Sequence, residues 1–265
     1  MYKRSAICAL LIAITSVGAG TTSVLGVVRQ AEAPNREASA KLLVERLRAV
    51  ELTGQDLAQQ WPVGLSTSKL KKEVLACGAQ AIPPLMSLLS EMLDRQRHAA
   101  EQIGQGHTDS EQAPMWVVED CCELLGRLRA VEGVPLILQV IEDKDYFTMV
   151  PKIDVPVLAL TRIGKPAIPA ITAELGVVFE KITLRYESFA RSSLRGDLVR
   201  KGGELQVSRA QIQMCAALET IGDESAVPLL EELLRTGTYM GRDVPSILQG
   251  AITLIRMKST RSPLQ

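Results

Sequence analysis

Aromatic side chains are scarce, 3% of 265 residues, and the apolar 46% is mainly Leu, Ile, Val and Ala, a composition suited to helices packed on helices. Histidine is scarcer still. His98 and His107 stand nine apart in no ligand rhythm, and there is no CxxC, which excludes the usual zinc spacings. The single asparagine, Asn35, is followed by Arg36 and Glu37, so no N-glycosylation sequon exists. Neither sign of charge is in excess, since 30 basic residues meet 30 acidic ones. Setting residues 1–33 aside leaves a net of about −2, which argues against nucleic acid as the main partner. A catalytic constellation is also missing, so no catalytic residue, cofactor-binding residue or metal ligand is assigned, and no cofactor is expected.

What is present begins with one uncharged run. Lys3 and Arg4 precede Ser5 to Val28, a pattern of the kind that engages the export machinery. Ala31, Glu32 and Ala33 form an AxA-like cleavage site, although Pro34 would follow the cut. As a helix rising about 1.5 Å per residue the run would also cross a hydrocarbon core of about 30 Å. Gly18, Gly20, Thr21, Thr22, Ser23 and Gly26 dilute its second half. Residues 1–33 are therefore either a cleaved signal peptide or an uncleaved membrane anchor, tethered through residues 5–28. In both cases the basic flank keeps the N-terminus in the cytoplasm, and the rest crosses the membrane. The expected location is exported, periplasmic or extracellular, or anchored to the inner membrane. Cys8 sits near the start of the apolar run rather than after it, which argues against a lipoprotein. Cys77, Cys121, Cys122 and Cys215 remain, an even number in a chain expected in an oxidising space, so disulfides stay open.

The rest of the chain repeats. A helix-like apolar pattern ends, and a short step of Ala or Gly, Val or Ile, and Pro opens the next one. Four copies are clear: Gly78 to Leu85, Arg129 to Ile137, Gly164 to Ile171 and Gly222 to Leu230. Their prolines, Pro83, Pro135, Pro169 and Pro228, fit the first turn of a helix, where the missing N–H costs no intrahelical bond. Gly78, Gly164 and Gly222 end the preceding helix, as residues able to reach positive φ should. The stripe Ile171, Leu175, Val178, Phe179, Ile182, Tyr186 and Phe189 advances by threes and fours along one long helix. Asp154 and Asp243 each precede Val-Pro and read as N-caps of first helices, over Val155 to Ile163 and Val244 to Ile255. Helices are also expected over Arg36 to Leu52 and Ser68 to Ala76, with a loop around Trp61, Pro62 and Gly64. Ser262, Pro263 and Leu264 read as the turn after the first helix of a fifth hairpin.

The pattern resembles the HEAT repeat family, in particular bacterial HEAT-like repeats of the type also seen in phycocyanobilin lyases. Gly222, Asp223, Ala226, Val227 and Pro228 carry the likeness best, and it covers roughly Ser68 to Pro263. The resemblance implies an all-α fold, a right-handed superhelix of the HEAT/armadillo-like solenoid class, preceded by the signal or anchor. It also implies two helix layers, the inner one offering a concave surface. A single hairpin cannot bury both its apolar stripes and must stack on neighbours. The expected organisation is residues 1–33 as signal or anchor, 34–67 as a helical cap, and 68–265 as the solenoid, with inserts near 102–114 and 188–208.

Cys121 and Cys122 follow the acidic pair Glu119 and Asp120. Aligning Leu128 with Ile221 places Cys122 opposite Cys215, so both fill the same small core slot, and nearby acids raise a thiol pKa. Iron-binding HEAT-like enzymes carry His-Glu pairs, whereas here His98 precedes Ala99 and His107 precedes Thr108. The stretch Lys181 to Arg209 holds seven basic residues interleaved with acids, as on an ordinary surface. Glu91, Asp94, Glu142, Asp143, Glu174, Glu231 and Glu232 lie on the expected second helices. If that layer binds, these acids line it and favour a basic partner. The expected function is a non-enzymatic protein-binding scaffold of the bacterial cell envelope, its partner another protein. The alternative is a lyase or lyase-accessory protein of the phycobilin lyase type.

Overall fold

Four turns, each ending in Ile-Pro or Val-Pro, organise the chain. The computed structural model describes residues 36–49, 63–105, 115–142, 155–191, 210–236 and 244–261, and among these every regular element is helical. Ten α-helices lie in this set: α1 (36–49), α2 (Val63–Ala76), α3 (Ile82–Gly104), α4 (Met115–Arg127), α5 (Val134–Glu142), α6 (Val155–Ile163), α7 (Ile168–Arg191), α8 (210–221), α9 (Val227–Thr236) and α10 (Val244–Arg261). The expected signal or anchor, the N-caps Asp154 and Asp243, and the turn Ser262 to Leu264 lie outside the described residues, as do most of the two inserts.

The turns share one plan, with the positive-φ residue five places before proline at Gly78 and Gly164 and six places before it at Arg129 and Gly222. Gly78, Arg129, Gly164 and Gly222 all have positive φ, at 64°, 53°, 80° and 72°. Gly164 and Gly222 return their N–H to Leu160 and Leu218 carbonyls at 3.0 and 2.9 Å. The second copy closes differently, with Arg129 N–H on Gly126 O and Ala130 N–H on Leu125 O, the paired bonds of a Schellman end. A side chain in this left-handed region costs about 1 kcal/mol, which the second copy tolerates at Arg129. A one-turn 3-10 helix follows each reversal, at Gly78–Ala81, Val131–Gly133, Lys165–Ala167 and Glu224–Ala226. The sequence had shown only a short step there.

The prolines then occupy equivalent places, each the second residue of α3, α5, α7 or α9. A residue before proline normally avoids the helical region. Ile82, Val134, Ile168 and Val227 nevertheless hold helical φ and ψ. All four are buried, and so are the small residues before them, Ala81, Gly133, Ala167 and Ala226. Anchoring in the core overrides the local preference. Four residues before each positive-φ position sits a side chain with no exposure, namely Val74, Leu125, Leu160 or Leu218. Two residues after each proline sits another, Leu85, Ile137, Ile171 or Leu230. Truncating one such side chain to Ala costs about 2–5 kcal/mol in comparable cores.

These repeated faces settle the layering. In the first row α2 packs on α4 and α4 on α6, while in the second α3 packs on α5, α5 on α7 and α7 on α9. Across the rows α3 meets α4, α5 meets α6, and α9 meets α10. Lys258 of α10 extends the first row by donating to Glu219 O at the end of α8, at 2.8 Å, where a cation suits the carbonyl end of a helix. Helix α1 is joined to the same core through Ala40, Val44 and Leu47. It also reaches α2 through Arg46 and Glu73 at 3.9 Å, and α3 through Arg48 and Glu91. One expectation needs correction: α2 starts at Val63, so Gly64 lies inside it rather than in a loop. Pro62 directly precedes that start, and proline at a helix border favours initiation there.

The first row contains a very close approach. A Cβ on Gly126 would lie 2.5 Å from Ala159 Cα and 2.8 Å from Ala159 Cβ, so α4 and α6 touch backbone to backbone. Gly126→Ala is expected to lower stability by about 1–3 kcal/mol in urea denaturation, as overpacking does. Gly176→Ala, where nothing lies within 4 Å, is the matched control and is expected to raise it by about 1 kcal/mol.

Successive turns are also tied along one edge. Asp223 accepts from Ser225 N–H at 2.9 Å and pairs with Lys165 Nζ, from the preceding turn, at 3.0 Å. Ser225 first, and then Lys165, hold the Asp223 carboxyl down from the ordinary 3.8 to about 2. A depressed folded pKa means the ionised form favours the fold. Its contribution is complete above the unfolded value and disappears as pH falls through about 2. Denaturation curves from about pH 5 to about pH 2 should show wild type converging on Asp223→Asn at the acid end, with the gap widest near neutral pH.

Candidate functional site

The acidic residues expected to form a partner surface fall where the repeat places them. Glu91 and Asp94 are on α3, Glu142 ends α5, Glu174 is on α7, and Glu231 and Glu232 are on α9. Asp143 lies outside the described residues. Each of the six described acids has a cation beside it. Glu91 pairs with Arg48 of α1, Asp94 with Arg97 at 3.1 Å, and Glu232 with both oxygens on Arg235 at 2.7 Å. Glu231 meets Arg256 from α10. Glu142 and Glu174 share Lys181, at 3.2 and 3.9 Å. The row is therefore a mixed, charge-matched surface rather than a bare acidic one, and exposed pairs of this kind each contribute at most about 1 kcal/mol.

Two of these pairs were legible as i,i+3 spacing, Asp94 with Arg97 and Glu232 with Arg235. The others join separate elements, and only the packing brings them together. Arg97 also donates to Gln139 Oε1 at 2.7 Å, which links α3 to α5. Where Glu142 meets Glu174, burial first and the neighbouring carboxyl second push the Glu142 carboxyl up to about 7, against the pull of Lys181.

A second polar cluster lies in the first row, assembled only by the packing of α2 on α4. Lys71 of α2 reaches Asp120 and Glu123 of α4, the latter at 2.8 Å, and Arg127 joins Glu123 at 3.4 Å. Burial alone would lower the Lys71 ammonium, but hydrogen bonds to Asp120 and Glu123 outweigh it and the group is raised. Burial pushes the Asp120 carboxyl up more than Lys71 pulls it down, and burial with Asp120 raises Glu119. Lys71 stands seven residues before the positive-φ Gly78, the place held by Cys122, Val157 and Cys215 in the other copies. A core slot has become an ion-pair slot at the first junction.

The thiols are core side chains. Cys121 and Cys122 have no exposure and Cys215 has 1%, and none of these three or Cys77 forms a disulfide. Burial, with Glu119 second, pushes the Cys122 thiol far up. Burial, with Glu219 second, pushes Cys215 up to about 12. His98 is exposed, with Nδ1 4.0 Å from Glu101 Oε2, while His107 lies outside the described residues. Among the described residues no group of three or more His, Cys, Asp or Glu could hold a metal ion. Of the basic stretch Lys181 to Arg209, only the Lys181 side chain falls within them.

A shallow groove of about 440 Å³ runs between α9 and α10, lined by Glu231, Leu234, Arg235, Gln249, Ile252 and Arg256. Its one acidic lining residue, Glu231, is among the acids expected from the sequence to face a partner. No helix among the described residues is long and apolar enough to cross a membrane. Comparison with protein-family models, with curated proteins and with solved structures found no match.

The thiol geometry sets a direct expectation. In the native chain, a maleimide reagent should leave Cys121, Cys122 and Cys215 unmodified over hours at neutral pH, and all three should label once urea unfolds it. Fast native labelling at Cys122 would contradict the core assignment.

Proposed function

We propose that this chain is a non-enzymatic protein-binding scaffold of the bacterial cell envelope, a right-handed HEAT-like solenoid of about five hairpins behind an N-terminal signal or anchor. The observation that carries the proposal is the fourfold turn, a positive-φ residue followed by a buried Ile-Pro or Val-Pro helix start, with α2, α4 and α6 touching in succession in one row and α3, α5, α7 and α9 in the other. Such a stack presents an extended face assembled from many helices, and a protein partner can be gripped at several points along it. The envelope location rests on Lys3, Arg4 and the run Ser5 to Val28.

The charge-matched second row refines the expectation of a basic partner. Glu91, Asp94, Glu142, Glu174, Glu231 and Glu232 are already paired, so a partner would exchange ion pairs with them rather than answer a net acidic field. That mode favours specificity over tight electrostatic capture. The lyase-type alternative needs a reachable thiolate, and the burial of Cys121, Cys122 and Cys215 gives it no support.

Affinity capture of the tagged full-length chain from envelope fractions tests the proposal. A specific protein should be recovered, and it should be lost with a variant that reverses Glu231, Glu232 and Glu174 to Lys. Recovery of no specific protein, or a purified chain carrying a bound chromophore, would overturn it.

A further inference from the structure

One joint of the second row sets two acids on one cation. Elsewhere in the row each acid meets an arginine, Glu91 with Arg48, Asp94 with Arg97, Glu231 with Arg256 and Glu232 with Arg235. Glu142 of α5 and Glu174 of α7 instead share Lys181, whose Nζ lies 3.2 Å from the first and 3.9 Å from the second. Both carboxyl side chains are mostly covered, at 26% and 30% exposure, and burial favours the neutral form of a carboxyl. Glu142 also stands on the last turn of its helix, where the carbonyl end disfavours an anion.

The other charges on the helices around this joint are engaged elsewhere. Glu142 is the sole charged residue of α5, with Glu132 in the turn at the opposite end of that helix. Arg162 is the sole charged residue of α6 and acts on Glu123 of α4. From α3, Arg97 bonds Gln139 and Asp94, while His98 and Glu101 lie side by side and well exposed; Glu180 of α7 is exposed too. Two partly buried carboxyls on one ammonium cannot both ionise without an excess negative charge, and a proton held between them removes it. We propose that Glu142, Glu174 and Lys181 form a proton-operated latch between α5 and α7, closed when the two carboxyls share a proton and loosened when both are ionised. When it is closed, Glu142 donates to Glu174, and Lys181 balances the one remaining charge. When it is open, two carboxylates compete for Lys181. Burial, and then the Glu174 carboxyl, raise Glu142 from 4.5 to about 7, which puts the working range near neutral pH. A carboxyl raised in the folded chain stabilises it in the protonated form, so the contribution is complete below 4.5 and is lost as pH rises through about 7. The latch goes beyond the scaffold reading and does not rest on it.

Amide hydrogen exchange of the full-length chain, read by mass spectrometry on peptides from α5 and α7, tests the latch. After correction for the intrinsic pH dependence of exchange, both helices of the wild type should exchange about tenfold faster at about pH 8 than at about pH 6. Glu142→Gln keeps a donor toward Glu174 and has no proton to lose, so it should stay near the slow wild-type rate at both pH values. Lys181→Met removes the cation that favours ionisation, and its step should move to higher pH. Peptides from α10, a helix without an acidic residue, are the internal control and should show no such step. Four results would overturn the inference: no step in wild-type α5 and α7 near neutral pH, an unchanged step in Glu142→Gln, a step moved to lower pH in Lys181→Met, or an equal step in α10, which would make the response global.

Discussion

Every feature of this chain follows from one constraint: a helical hairpin with apolar residues on two faces cannot shield both from water by itself. Leu85, Leu125, Ile137, Leu160, Ile171 and Leu230 have no exposure, and all six belong to one core that runs through successive hairpins. The turns serve that end. A positive-φ residue stops one helix, a single 3-10 turn redirects the chain, and a buried Ile or Val with its proline starts the next helix at a fixed height. Because each turn launches its helix from a buried Ile-Pro or Val-Pro pair, the helices they launch fall into a row.

Where the rows press hardest, chemistry adjusts locally. Gly126 has no side chain because Ala159 occupies the space, and the ion-pair cluster around Lys71 replaces the small core residue that later copies use in the same slot. Cys122 and Cys215 fill that slot as small apolar groups, protonated by burial. The edge pair of Lys165 and Asp223 ties successive turns, and polar contacts link the second-row helices, Arg97 to Gln139 and Lys181 to Glu142 among them.

The helices and their boundaries were legible to within a few residues, because proline and glycine mark ends by steric rules that tertiary context seldom reverses. The positive φ expected at Gly78, Gly164 and Gly222 is present, and the prolines stand in equivalent positions. Arg129 was less legible, since a Schellman closure at a non-glycine residue leaves no compositional mark. Gly64 was misplaced because a glycine in a first helical turn looks like a loop residue. The six acids among the described residues were placed on the right helices, yet their cations were invisible wherever pairing crosses between elements: Arg48 for Glu91, Lys181 for Glu142, Arg256 for Glu231. The Lys71 cluster and the groove between α9 and α10 are likewise products of packing, which no local pattern encodes.

The contact between α4 and α6 joins helices that are not consecutive in the chain, so it tests the stacking directly. The measurement is nuclear Overhauser spectroscopy on the folded chain, read between the Hα protons of Gly126 and the protons of Ala159. If first-row helices lie side by side as described, a strong cross-peak joins the two residues, because a Cβ on Gly126 would lie only 2.5 Å from Ala159 Cα. Absence of that cross-peak would mean that the two backbones do not meet, and the row arrangement would be wrong.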